Sequence, residues 1–201
     1  MRYLLITLLL LLHVSTKAQN GYYITLQGDT IAANIVIPKS FFKVEGFEKL
    51  FREVKINFLD ETQQVFKPEE IIGFAFTSSR KQYIFETQAR PGYQIFTNKI
   101  VEIVPTFMLK LAQSKNGASY IRYENGSGEG TLSIIEYYTF TRTIDNELLF
   151  LMNADASKKI RSELEKFYAF TPNVRKAVKN KFSNHKKMRK HVEQFIRTIN
   201  L

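Results

Sequence analysis

The sequence predicts an α+β protein: an antiparallel β-rich body, arranged as a curled sheet, a sandwich or a partly closed barrel, followed by about three amphipathic helices. Three observations carry this expectation. Strand-length runs of β-branched and aromatic residues, separated by turn residues, recur from residue 22 to residue 152. The hydrophobic period then changes from two to 3.6. The charge changes with it: residues 155–201 hold 13 Lys and Arg against 4 acids, whereas residues 19–154 hold 14 against 15. The expected organisation is an export signal over 1–18, a β-rich body over 19–154 and a basic helical segment over 155–201.

The signal rests on Arg2, the apolar run Leu4 to Val14 and the small residues Thr16 and Ala18 at a cleavage site. A membrane-spanning helix needs about 20 apolar residues, and this run is shorter. No Cys follows it to carry a lipid, and no later stretch is apolar enough to span, so no transmembrane segment is expected after cleavage. The chain has no Cys at all, which removes disulfide and thiolate chemistry and leaves packing, with 17 Phe and 10 Tyr, to stabilise the fold.

The first hairpin is Tyr22 to Leu26 and Thr30 to Val36 around Gln27-Gly28-Asp29, where Gly28 supplies positive φ. The Gly21-aromatic start, Gly28-Asp29-Thr30, and later Lys67-Pro68-Glu69-Glu70-Ile71-Ile72-Gly73-Phe74 resemble a group of uncharacterised exported proteins of Bacteroidota-type bacteria. Ala33 stands where that group often has Gly. The resemblance implies an exported compartment and a β-rich architecture, and it carries no activity with it.

Pro38 to Phe51 reads as irregular. Glu53 to Leu59 alternates and ends at a turn over Asp60-Glu61, and Gln63 to Phe66, Ile71 to Phe76 and Gln82 to Thr87 follow at meander spacing. Pro91-Gly92 reads as a turn. Phe107, Leu109 and Leu111 alternate toward Asn116-Gly117, where a type I′ hairpin turn with positive φ is expected, and Ala118 to Glu124 returns. Asn125 to Gly130 reads as a loop, Thr131 to Arg142 as a long strand, and Glu147 to Met152 closes a body of about ten strands, more than typical sheets of about 4 to 6.

In the tail, three apolar stripes have helical spacing: Ile160, Leu164, Phe167, Tyr168; then Val174, Ala177, Val178, Phe182; then Met188, Val192, Phe195, Ile196, Ile199. Thr171 with Pro172 is the expected N-cap and N1 pair of the second helix, and Asn184 the expected cap of the third.

No residue set amounts to a reaction centre, and no catalytic residue, metal or cofactor is expected. His185 and His191 are six apart on a helix, hence on different faces, and read as solvated. Asp60-Glu61, Glu69-Glu70 and Asp145-Asn146-Glu147 read as turn acids. There is no Gly-x-Ser-x-Gly elbow, and Gly126, Gly128 and Gly130 lack the strand-then-helix context of a dinucleotide fingerprint. Thr30 and Asn125 fall in patterns used for O- and N-linked sugars. The compositional hint is the tail: Lys158, Lys159, Arg175, Lys176, Lys179, Lys186, Lys187, Arg189 and Lys190 form either a solvated helical face or a face for an anionic envelope lipid or polymer. No nucleic acid is expected, because the tail aromatics fall on the buried stripes. The expected role is an exported, non-enzymatic binding or interaction protein of the cell envelope, with an anionic envelope component or an envelope protein as partner. A carboxylate-based hydrolase of envelope glycans is the alternative. The expected mature N-terminus is Gln19, which N-terminal mass analysis of exported material checks; a product retaining Met1 would overturn it.

Overall fold

The computed structural model describes residues 18–38, 44–93, 100–126, 133–152, 155, 157–171, 174–179, 182 and 187–199. The predicted export signal lies outside them except for Ala18. The fold is α+β as expected. Ten strands form one unclosed antiparallel sheet: β1 (Ala18–Thr25), β2 (Thr30–Val36), β3 (Val54–Asn57), β4 (Gln63–Phe66), β5 (Ile71–Ser78), β6 (Lys81–Tyr93), β7 (Ile100–Ser114), β8 (Gly117–Gly126), β9 (Ser133–Arg142) and β10 (Leu148–Met152). The helices are α1 (Val44–Arg52), α2 (Ser157–Phe167), α3 (Val174–Lys179) and α4 (Met188–Thr198).

The strand order is β10-β9-β8-β7-β6-β5-β1-β2-β3-β4, so two meanders meet where β1 pairs with both β2 and β5. The link from β4 to β5 dictates curvature. In a flat sheet these strands would be four spacings apart, about 19 Å, while the five steps from Phe66 to Ile71 reach about 18 Å only if fully extended. They are not extended: Glu70 N donates to the Lys67 carbonyl at 3.0 Å, and Lys67 N donates to Glu70 Oε2 at 2.6 Å. The sheet therefore curls over β5 and β1–β4, enclosing Tyr23, Ile35, Ile56, Phe66 and Phe74, with Tyr23 stacked on Phe66 at 5.3 Å.

At the wide end, one face of β5–β10 carries Phe74, Phe85, Phe107, Leu109, Ile121, Tyr138 and Phe140, each at most 3 % exposed. The helices cover this face, because their isolated turns are too short to persist without burying an apolar stripe. α1 and α4 lie on β7 and β8, and α2 reaches β10 and α3. All three predicted stripes are buried, from Ile160 through Val178 to Phe195. Phe195 packs edge-on against Tyr168 at 5.6 Å and Phe182 at 6.0 Å.

Several expectations are corrected. The segment read as irregular contains α1, whose Leu50 and Phe51 are buried while Lys49 and Arg52 are exposed, so an amphipathic period was present in it. Pro91 and Gly92 are inside β6, opposite Ile103 and Glu102. Asn125 and Gly126 end β8 opposite Ile134 and Ser133; residues 127–132 are outside the described residues. The β7–β8 hairpin forms, but Lys115 and Asn116 are its turn, Gly117 pairs with Ser114, and neither Asn116 nor Gly117 has positive φ. The turn with two positive φ values is instead Ser79-Arg80, at 49° and 63°, between β5 and β6. Thr171 does not cap α3 with its side chain: its Oγ1 is buried and has no hydrogen-bond partner, while its carbonyl accepts from Val174 N at 3.4 Å. Asn184 and His185 lie outside the described residues. His191 is half-buried instead of solvated; its Nδ1 accepts from the backbone N–H of Phe182 at 3.1 Å, and Phe182 has φ 62°.

Two substitutions test this packing. A Cβ at Gly117 would stand 2.0 Å from the Thr141 carbonyl oxygen, which accepts the Tyr168 hydroxyl at 2.8 Å, so Gly117→Ala should destabilise through overpacking by about 1–3 kcal/mol. An unchanged thermal midpoint would overturn the close approach. His191→Phe keeps the ring but strands the Phe182 N–H, with an expected loss of about 1–3 kcal/mol in denaturant unfolding.

Candidate anion-binding site

The strand face turned away from the buried core carries the charged side chains of the candidate site, with α1 and the start of α2 at its margins, and strand alternation puts them there. In β8, Ile121 and Tyr123 join the helix-covered core, so Tyr120, Arg122 and Glu124 project from the other face. Register builds the surroundings: Arg122 is opposite Tyr137, Tyr137 is opposite Met152, Tyr120 is opposite Thr139 and Lys110, and Thr139 is opposite Phe150. Met108, Tyr120 and Thr139 are at most 4 % exposed, so this polar face is itself largely dry.

Its charges are arranged in two groups. Glu86 accepts from Lys110 Nζ and from the Tyr120 hydroxyl, both at 2.7 Å, and burial together with the Glu86 charge pushes the Tyr120 phenol far up. Glu124 Oε1 receives Arg90 Nη1 at 3.2 Å and also Arg122 Nη1. The Arg122 guanidinium lies over the Tyr137 ring, 4.4 Å from its centroid, a cation–π contact that strengthens as water is excluded.

Arg122 is 7 % exposed, and its Nε has no hydrogen-bond partner among the described residues; the Nε of Arg90 is likewise buried and unpartnered among them. Burial, followed by the like charge of Arg90, lowers the Arg122 guanidinium to about 10, while Glu48 of α1 acts in the opposite sense. The group is still charged at pH 7. A buried charged donor without a partner is costly, so two such N–H groups in one cluster mark a place where an anion would be stabilised.

Both arginines line two adjoining clefts, each of about 380 Å³. The first is bounded by Glu48 and Arg52 of α1, the Lys67–Glu69 turn and Thr106. Its lining carries Arg52, Lys67, Arg90 and Arg122 against Glu48, Glu69 and Glu124. The second is bounded by Met108, Tyr137, Phe150 and Met152, with Asp155 and Lys159 beside them. Its lining carries Arg90, Arg122 and Lys159 against Asp155 alone.

Of the described basic residues singled out in the tail, Lys159 alone lines this site, and it pairs with Asp155 at 2.7 Å. Lys158, Lys176, Lys187 and Lys190 are exposed on or beside three separate helices. Arg175 approaches Glu165 at 3.9 Å, and Arg189 bonds Glu193 at 3.3 Å and the Tyr123 hydroxyl at 3.1 Å. Lys186 and the Lys179 side chain lie outside the described residues. The acid pairs are held locally in turns. Asp60 accepts from the Thr62 hydroxyl and N–H, which holds its carboxyl below the usual range. Asp145 and Glu147 pair with Arg142, whose Nη1 also donates to the Phe167 carbonyl at 2.8 Å and so closes the C-terminus of α2.

Sequence reasoning missed Arg90 and Arg122. The available signal was a charged residue between Ile121 and Tyr123, but alternation alone reads such a residue as solvent-facing. No family model matches the chain, and no curated protein or solved structure matches it either.

Proposed function

We propose that this chain is an exported, non-enzymatic binding protein whose ligand is an anion held by Arg90 and Arg122. The observation that carries this reading is the buried Nε of Arg122, unpartnered beside a second unpartnered arginine Nε at the junction of two clefts. Planar guanidinium groups pair with carboxylate and phosphate oxygens through parallel N–H bonds, and a ligand oxygen there would restore the missing hydrogen bonds. Binding is favoured over hydrolysis because Glu124, the carboxylate nearest the arginines, is committed to both of them. A glycoside hydrolase needs one carboxyl free to donate a proton and a second about 5 to 9.5 Å away.

Export supplies the setting. The predicted signal fits an envelope protein, and the anionic partner belongs in this scheme to the sheet, with the exposed lysines of the tail serving solubility.

Thermal melts with inorganic phosphate and with acetate test the assignment. A ligand at 100 times its Kd stabilises the native state by about 2.7 kcal/mol, so the melting temperature should rise with either anion and the rise should vanish in Arg122→Gln. The charge reversal Lys186→Glu, Lys187→Glu, Lys190→Glu should leave it intact. Binding should also fall as pH rises through about 10, where Arg122 loses its charge. Anion binding that survives Arg122→Gln and disappears on reversing the tail lysines would move the site to the helices.

A further inference from the structure

The two clefts share their arginines but differ in what lies beyond them. The first continues into charge, with Glu48, Arg52, Lys67 and Glu69 on its walls. The second continues into apolar surface: Met108 at its base is fully buried, Phe150 is half-buried and Met152 is 37 % exposed on the edge strand β10. The register makes this a directed path. From Arg122 it crosses Tyr137 on β9 and ends at Met152 on β10, with Thr139 and Phe150 as the neighbouring row and Thr139 Oγ1 set 3.3 Å from the Met108 sulfur. Two strand spacings amount to about 10 Å. A charged head at one end and an apolar wall running to the sheet edge, where the Asp155–Lys159 pair flanks Met152, is the complement of an amphiphile.

We infer that the second cleft binds a single-chain amphiphilic carboxylate, its head on the Nε groups of Arg122 and Arg90 and its hydrocarbon along Met108, Tyr137, Phe150 and Met152. This rests on the anion-binding reading above and adds the chemical class of the ligand. The volume, about 380 Å³, is within the range of about 300–1,000 Å³ of small-molecule sites, which are characteristically apolar with a few placed polar groups. A carboxylate suits a side-on guanidinium edge because it offers two oxygens in one plane. The arginine is already buried, so binding desolvates the carboxylate only, and the paired charge offsets that cost. The hydrocarbon emerges at the outer edge of β10, which pairs with no further strand among the described residues, so a chain longer than the wall continues past the sheet edge without displacing the core.

Isothermal titration with acetate, butyrate, hexanoate, octanoate and decanoate, each below its aggregation concentration, tests the inference on the full-length mature protein. Each methylene that enters the cleft is worth about 0.8 kcal/mol, so Kd should fall about fourfold per carbon until the wall is covered and then level off. Phe150→Ala should flatten that dependence, lowering the ratio of octanoate to acetate affinity. Arg122→Gln should weaken every member of the series. If acetate and phosphate bind but affinity is independent of chain length, the anion site stands and the amphiphile inference fails. If no member binds, both fail. A chain-length dependence that persists in Arg122→Gln would show adsorption to apolar surface and would overturn the inference. Should Arg122→Gln not fold, the contrast between acetate and octanoate in Phe150→Ala still decides the matter.

Discussion

Everything in this molecule depends on β1 lying between β2 and β5. That single strand joins two meanders that would otherwise be separate sheets, one of four strands and one of six. The joint is tight. A Cβ at Gly21 would stand 2.0 Å from the Ala75 carbonyl oxygen, and one at Gly73 would stand 2.3 Å from that of Phe85. Glycine at these positions lets neighbouring backbones approach as the sheet bends. The bend brings Phe66, Phe74 and Tyr23 into one cluster and allows a short turn to return the chain from β4 to β5.

The wide half of the sheet solves a different problem, since both of its faces are largely withdrawn from water. One face is covered by helices and is apolar. The other is made dry while keeping Glu86, Lys110, Arg90, Arg122 and Glu124, and these survive burial because nearly every charge has a partner. The exceptions are the two arginine Nε groups. Replacing such a cluster with apolar residues commonly costs no stability, which supports the proposed role in recognition.

The legible parts of the fold were those governed by local chemistry. Gly28 is legible as the positive-φ residue of the first hairpin and has φ 93°; the three apolar stripes are legible by their spacing and are buried residue for residue, although Phe182 lies beyond α3 with φ 62° instead of on it. Illegible parts were decided by neighbours distant in sequence. Asn116-Gly117 looks like a type I′ turn, yet Gly117 is held by its approach to Thr141 and Tyr168, and Asn116 Nδ2 donates to the Ile199 carbonyl at 2.6 Å. Ser79 and Arg80 take the left-handed conformation without any Gly or Asn to announce it, because the flanking strands impose the twist. Arg122 belongs to the same class: its strand was recognised, but burial of its outer face depends on β6, β7 and β9, which no window of sequence around residue 122 contains.

The placement of β1 also sets an order of events for a chain made from its N-terminus. The first strand to be synthesised occupies an interior position, and its second partner, opposite Gly21, is at Phe76. The early hairpin therefore waits with one open edge until β5 arrives, and such non-local pairing slows folding. An unpaired edge of this kind is adhesive. Any extension left ahead of residue 18 would be rooted in the interior of the sheet instead of at a free border.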